Sequence, residues 1–440
     1  MNLCVKNGYL LSPANKIEDK LDIWIEDGII TGLKEPRNEY PQDITCIDAE
    51  GAWVIPGLID LHVHFRDPGF LYKEDIESGC QAAAKGGFTT VCCMPNTKPI
   101  IDNPNVVLYV DEKGQKACGV NLLPVAAITE GQEGKTLVDI ETLTSLKTKC
   151  YELSGKGICA ISEDGKSVMD TRLMQKAMEQ AKRAGLPIFD HTEEHTLAGA
   201  SMNLGKRSEH LGISGVPAEA EEIIVARDIL LAKNIGCKLH LCHISTKGSL
   251  DLIRLGKSWG LKLTAETAPH YFTLTEDNVT KENGLAKMNP PLRSHEDVKA
   301  VIQALQDGTL DAIATDHAPH HVKEKMVPFE QSAFGIVGLE TAFSLSYTNL
   351  VKTGLLTPWE LVYKMSTAPA EILGIDRGII AEGKVADLTI VDVSEEYTIN
   401  SDDFVSKGKN TPFGGMKVFG KIKNTLVDGK VIYHDRSIDR

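Results

Sequence analysis

Through the middle of the chain, short apolar runs alternate with longer stretches in which apolar residues return every three or four positions. The short runs fall at residues 54–60, 88–94, 120–126, 158–162, 187–190, 238–242, 262–266 and 311–315, and their length and aliphatic content predict strands. The longer stretches, including 74–85, 170–184, 217–233, 249–258 and 295–306, predict helices between them. Such alternation suits a parallel sheet, either closed as a (β/α)8 barrel or open and doubly wound. Both ends of the chain read differently. Before residue 54, Leu3-Cys4-Val5 and Leu21-Asp22-Ile23-Trp24-Ile25 run into the turns Lys6-Asn7-Gly8 and Glu26-Asp27-Gly28. The same vocabulary returns after residue 380, with strands at 385–391 and 423–427 and a turn at Asp428-Gly429. The two ends are therefore expected to meet in one small β-rich satellite domain, built from 1–54 and 376–440, around a barrel at 55–375.

The polar residues choose between barrel and open sheet. His62 and His64 follow Ile59, Asn96 follows Met94, Asp164 follows Ile161, His191 follows Phe189, His243 follows Cys242 and Asp316 follows Thr315. Each lies at the C-terminal end of an expected strand. A barrel brings all these ends to one face, whereas an open sheet leaves several far apart. The expected fold is α/β, a TIM-like barrel with the satellite attached.

Composition narrows the function classes. Apolar residues make up 42% of the 440 and charged residues 25%, which excludes a membrane-embedded or disordered chain. A net charge of −14 without a long basic run argues against nucleic acid or an anionic membrane as partner. The N-terminal stretch lacks a basic region followed by an apolar one, so a cytoplasmic location is expected. The ten cysteines form no CxxC, and Cys92, Cys93, Cys159 and Cys242 sit in apolar runs, as buried free thiols of a reducing compartment do.

The sharpest local signal is Asp60-Leu61-His62-Val63-His64. Residues two apart on a strand point the same way, so His62 and His64 can offer two imidazoles to one metal ion. His191, His243 and Asp316, each ending another strand, extend this to a donor set suited to one or two borderline cations such as zinc. Asp164, in Ser162-Glu163-Asp164-Gly165, reads from its local sequence equally as an acidic turn. Asp60 is placed to fix an imidazole, and His317 to orient Asp316 or a neighbouring loop. His240 is expected as a barrel histidine behind the ligands, His270 as a group beside the ligands or the substrate. His195, His210, His295 and His434 are expected at the surface.

Together these segments resemble the amidohydrolase superfamily, and within it the bacterial type I dihydroorotases. The resemblance rests on Pro56-Gly57-Leu58-Ile59-Asp60 leading into His62-Val63-His64-Phe65-Arg66-Asp67-Pro68-Gly69, on Gly86-Gly87-Phe88-Thr89-Thr90 and on Met94-Pro95-Asn96-Thr97. It continues through Cys242-His243-Ile244-Ser245-Thr246, Met288-Asn289-Pro290-Pro291-Leu292-Arg293 and Ala314-Thr315-Asp316-His317-Ala318-Pro319-His320, and reaches Glu382-Gly383-Lys384-Val385-Ala386-Asp387-Leu388. It implies a zinc enzyme that reversibly hydrolyses (S)-dihydroorotate to N-carbamoyl-L-aspartate in pyrimidine biosynthesis. Two zinc ions per subunit are implied, or one: His62, His64 and Asp316 around the first, His191 and His243 around the second, and Asp164 joining them. Related hydantoinases place a carbamylated lysine at that bridge, and Lys156 and Lys166 remain contenders here. Asp316 is implied as the catalytic proton carrier. His64, Arg66, Asn96 and His320 are implied to hold the substrate at its carboxylate end, with Asn289 and the Phe334-Gly335 backbone near the ring polar groups. A salt bridge from Arg66 to Asp67 or Glu74 is the plainer reading of that arginine, and turn formation that of the two asparagines. The family usually has proline before the Phe-Gly pair, where this chain has Ala333. The stretch between His320 and Phe334 reads as a lid or as an ordinary surface loop. A homodimer and association with aspartate carbamoyltransferase are further implications. Another cyclic amidase, an allantoinase or hydantoinase, is the first alternative, and a non-catalytic scaffold the second.

Overall fold

In a computed structural model that describes residues 2–435, the middle of the chain forms an eight-stranded parallel sheet. Its strands are β1 (Leu58–Val63), β2 (Phe88–Cys93), β3 (Asn121–Ala127), β4 (Ala160–Ser162), β5 (Pro187–Asp190), β6 (Lys238–Leu241), β7 (Leu263–Thr267) and β8 (Ala312–Ile313), neighbours in sequence order. β1 meets the segment that follows β8 through a parallel bridge between Val63 and His317, where the His64 N–H donates to the His317 carbonyl at 2.8 Å. The sheet thus closes into the expected barrel, and all its C-terminal ends share one face.

Local chemistry sets the helices between the strands. Ile76–Lys85 begins at a capping box on Asp75 and Ser78. Thr171–Ala184 begins where the Asp170 carboxylate accepts from the N–H groups of Arg172 and Leu173, and ends at Gly185 with φ 67°. Its buried face, Met174, Ala177, Met178 and Ala181, keeps the three-and-four spacing read in the sequence. Glu219–Ile235, Lys247–Ser258 and His295–Gln306 also form where periodicity predicts helices. Pro104–Lys116 is an additional helix. It turns Asp111 and Gly114 inward beside Val106, Val107 and Val110, and these non-apolar inner positions blur its period.

Both chain ends build one further sheet. Asn2–Ser12, Ile17–Glu26, Ile29–Lys34, Thr45–Asp48 and Trp53–Pro56 join Leu388–Thr398, Lys417–Val427 and Lys430–His434. The two contributions meet where Trp53–Pro56 pairs antiparallel with Leu388–Thr398. The apolar run at 54–60, expected as one strand, is therefore divided: 53–56 pairs in the end sheet and Leu58–Val63 in the barrel. Gly57 is the joint. Its N–H donates to the Asp387 carbonyl at 2.9 Å, and a Cβ there would lie 2.3 Å from the Thr89 side chain. No helix among the described residues is long and apolar enough to cross a membrane.

Gly86 closes the first barrel helix just before β2. A Cβ on it would sit 2.2 Å from the Leu339 carbonyl oxygen, a backbone atom that cannot swing aside. Gly86→Ala should therefore lower the urea midpoint at unchanged slope, a loss of about 2 kcal/mol by the overpacking rule. A wild-type midpoint would show that the backbone yields freely there.

Candidate active site

Six side chains from five strand ends converge at the barrel mouth. His62 and His64 leave the end of β1, Asp164 follows β4, His191 follows β5, His243 follows β6 and Asp316 follows β8. Asp164 lies at their centre. Its Oδ1 is 3.2 Å from His62 Nε2, 3.4 Å from His191 Nδ1 and 3.4 Å from His243 Nε2, and its Oδ2 is 3.3 Å from His64 Nε2. Asp316 Oδ1 stands 3.1 Å from His64 Nε2 and 3.8 Å from His62 Nε2. The outward nitrogens of the first two imidazoles are committed elsewhere, which fixes the direction of the inward ones. His62 Nδ1 lies 3.1 Å from Glu266 Oε1, and His64 Nδ1 lies 2.9 Å from Asn96 Oδ1.

The spacing fits metal ligation better than mutual hydrogen bonding. Donors around a tetrahedral ion at zinc-like bond lengths sit about 3.3 Å apart, close to the separations around Asp164. His62 Nε2 has no hydrogen-bond partner although Asp164 Oδ1 lies 3.2 Å away. His191 Nδ1 and His243 Nε2 face one another at 2.9 Å, a separation that either a proton on one of them or a cation bound by both would satisfy. Four imidazoles and two carboxylates form a donor set suited to borderline divalent cations.

The electrostatics agree. Burial raises the pKa of the Asp164 carboxyl, but the His62 and His64 charges and hydrogen bonds from His191 and His243 hold it well below the carboxylate range. Burial lowers the His191 pKa, but Asp164 and Glu193 outweigh it and raise it to about 10. Burial and then Asp164 act likewise on His62, with a net upward shift. Two of the six residues also hold left-handed backbone, His243 at φ 38° and Asp316 at φ 50°. Each such conformation costs about 1–3 kcal/mol, which the surrounding ladder must sustain.

A second group occupies the same cavity, of about 230 Å³, lined by Arg66, Asn96, Asn289, His320, Phe334 and Gly335 together with metal-ligand candidates. Arg66 Nε donates to the Pro319 carbonyl at 3.3 Å, and Nη2 lies 3.4 Å from His320 Nε2. Neither carboxylate offered by the sequence as its partner is taken up by it. Asp67 accepts from the Tyr109 hydroxyl at 2.7 Å, and Glu74 is buried with Ser78, Ser406 and His317. Asn289 Nδ2 donates to Glu193 Oε1 at 3.0 Å, and the Gly335 N–H donates to the Lys287 carbonyl at 2.9 Å.

A model of the amidohydrolase family matches residues 53–432. A dihydroorotase of Geobacter metallireducens is 48% identical over 98% of this chain and 100% of its own, and one of Acetivibrio thermocellus is 46% identical over 99% of each. The chain belongs to the amidohydrolase family. Among solved structures, L-hydantoinase from Arthrobacter aurescens superimposes with a TM-score of 0.85 at 24% identity, covering 98% of this chain and 96% of that one. Dihydropyrimidinase from Brevibacillus agri gives 0.84 at 22%, covering 99% and 96%. At these identities the likeness concerns the fold.

The remaining histidines and acids of this amidohydrolase divide into groups that serve the site and groups that serve its loops. Asp60 does not touch an imidazole; it accepts from the N–H groups of His62 and Thr315 and from the Thr315 hydroxyl, tying β1 to the segment that carries Asp316. Burial raises its pKa to about 7. His317 serves a loop, facing Glu74 and accepting from the Gly338 N–H at 3.2 Å. His240 lies between Thr264 and Glu266, behind His62. His270 is buried with its Nε2 unpartnered. Lys166 donates to the Gln132 carbonyl at 2.9 Å, away from the imidazoles. Two acids not singled out from sequence complete the arrangement, Glu266 behind His62 and Glu193 between Asn289 and His191. Glu266 carries a legible signal, a charge within a strand buried on both faces.

Because Asp164 draws protons onto His62 and His191, a divalent cation must displace them. Calorimetric zinc titrations of metal-free protein at about pH 7.5, in buffers of different ionisation enthalpy, should show release of about one to two protons per chain. Heats independent of the buffer would contradict this assignment of charge.

Proposed function

We infer that this amidohydrolase is a dihydroorotase, opening the ring of (S)-dihydroorotate to N-carbamoyl-L-aspartate and closing it in the biosynthetic direction. The observation that carries the reading is the Arg66 guanidinium, which lies in the cavity beside the Asp164 cluster and has no carboxylate partner among the described residues. A planar two-pronged cation there suits a ring that bears a carboxylate. Dihydroorotases similar over nearly the whole chain support the same conclusion. A hydantoinase or allantoinase would share the barrel, but an uncarboxylated ring leaves Arg66 without a task. A scaffold relative would have little use for a complete set of ligand residues.

In this reading His62, His64 and Asp316 would hold one zinc ion and His191 and His243 the other, with Asp164 a ligand candidate for both. The ions, when bound, supply a water acidic enough to attack near neutral pH and polarise the ring carbonyl. Asp316 Oδ1 is turned toward His64 and His62, so its other oxygen is the one that takes the proton of the attacking water and returns it to the departing ring nitrogen. Burial pushes this carboxyl upward, but the His64, His62 and His243 imidazoles outweigh it and hold it below the usual range, so it enters the reaction as a base. Asn96 serves twice: its Oδ1 fixes His64, and its amide nitrogen remains for substrate. Asn289, oriented by Glu193, and the Phe334-Gly335 segment face the ring polar groups, with contact left to the Phe334 backbone because the Gly335 N–H and carbonyl are taken by Lys287 and Lys325. We also read the enzyme as a cytoplasmic homodimer that could associate with aspartate carbamoyltransferase.

Parallel ring-opening assays on (S)-dihydroorotate, dihydrouracil and allantoin test this reading, and a preference for the carboxylated ring is expected. Arg66→Met should lower kcat/KM for dihydroorotate by about 100-fold, the scale of a lost charge-assisted pair of hydrogen bonds, while dihydrouracil turnover changes only a few-fold. Equal losses on both rings would remove the arginine from carboxylate recognition.

A further inference from the structure

The loop between β1 and the first barrel helix brings a second cation to the carboxylate end of the cavity. Lys73 Nζ lies 3.2 Å from His320 Nδ1 and 2.8 Å from Glu324 Oε1, and stands over the rings of Phe70 and Tyr72 at 5.6 and 5.7 Å from their centroids. Its ammonium is therefore held in place rather than swinging in solvent. On the other side of the same imidazole, Arg66 Nη2 is 3.4 Å from Nε2. A neutral imidazole has one N–H and one lone pair, so it cannot accept from both cations.

The lysine side decides which nitrogen accepts. Both cations have only protons to offer, and the closer of them, the ammonium at 3.2 Å against 3.4 Å for the guanidinium, takes the lone pair on Nδ1 and leaves the ring proton on Nε2. Burial, together with Arg66, Lys73 and Lys325, lowers the His320 pKa to about 2 and so keeps the ring neutral. With its proton on Nε2, His320 and the Arg66 guanidinium face each other as two donors, and an acceptor shared between them satisfies both.

We propose that Lys73 is a positioning residue that fixes His320 as the Nε2–H tautomer, turning Arg66 and His320 into a two-donor clamp for the ring carboxylate of the substrate. The identity of the clamped anion rests on the dihydroorotase reading; the tautomer does not. Glu324 defines what happens without the lysine. Its Oε2 is 3.7 Å from His320 Nδ1, the nearest carboxylate oxygen to that nitrogen. With Lys73 gone, Glu324 draws the ring proton to Nδ1 and turns the Nε2 lone pair toward the incoming carboxylate.

Full-length enzyme labelled with ¹⁵N in its histidine rings reads the tautomer directly, with His320 assigned by the signal lost in His320→Gln. The wild type should show His320 as Nε2–H, Lys73→Met should gain proton density on Nδ1, and Lys73→Arg should retain the wild-type form. At about pH 8.5, above ordinary imidazole titration, Lys73→Met should raise KM for dihydroorotate by about tenfold, the loss of one hydrogen bond to a charged group, with kcat held within about twofold. Dihydrouracil kinetics should not change, and Lys73→Arg should recover the wild-type KM. Glu324→Gln breaks the ion pair but leaves Lys73 beside His320, and should match the wild type. A wild-type Nδ1–H tautomer, equal losses on both rings in Lys73→Met, or the same loss in Glu324→Gln would overturn the proposal. Wild-type enzyme without preference for the carboxylated ring would instead overturn the dihydroorotase reading, whatever the tautomer.

Discussion

The Asp164 carboxylate carries its charge where water scarcely reaches, and the barrel mouth is organised around that burden. An unpaired charge in such a place costs several kcal/mol, so it persists only where opposite charge surrounds it. Four imidazoles provide that surround, from β1, β5 and β6, and they reach it only because the barrel closes between Val63 and His317. The left-handed turns at His243 and Asp316 follow from the same demand. Both residues follow a barrel strand and carry a donor to the cluster, and the strain is held by ladder bonds such as Ile244 N–H to the Glu266 carbonyl at 2.9 Å.

Around this fixed charge the cavity divides its work. One side gathers imidazoles and carboxylates, the donors proposed for divalent cations, and the other gathers Arg66, Asn96 and His320, the groups proposed for an anionic substituent. The two sides share Asn96, which steadies His64 with one end of its amide and faces the cavity with the other. Behind the second side, Lys325 is wholly buried and donates to the carbonyls of Lys287, Ala333 and Gly335 at 2.9, 2.8 and 2.7 Å. It thereby staples the segment after His320 from within. Hydantoinase structures share the scaffold, so the fold alone does not choose the ring, and the choice must lie in the residues that line the cavity.

Much of this was legible in the sequence because the fold writes it locally. Short aliphatic runs ending in histidine or aspartate mark strand ends, and strand ends of a parallel barrel must meet. Asp170 and Gly185 likewise announce the limits of the helix they bracket. What escaped depends on partners distant in sequence. Glu266 meets His62 across 204 residues, and Lys73 meets His320 across 247. The run at 54–60 reads as one strand because pattern alone does not show that two sheets share it, and only Gly57 hints at the break. Asp60 was legible as important but not for its task, since a carboxylate near two imidazoles gives no sign that it will grip backbone N–H groups instead.

The central claim is that Asp164 holds the catalytic cations, and one comparison tests it most directly: zinc content and dihydroorotate turnover of wild type and Asp164→Ala, measured on the same folded, zinc-loaded preparations. The account predicts zinc and turnover in the wild type, with both lost or sharply reduced in the variant. Wild-type zinc content and turnover in Asp164→Ala would contradict it.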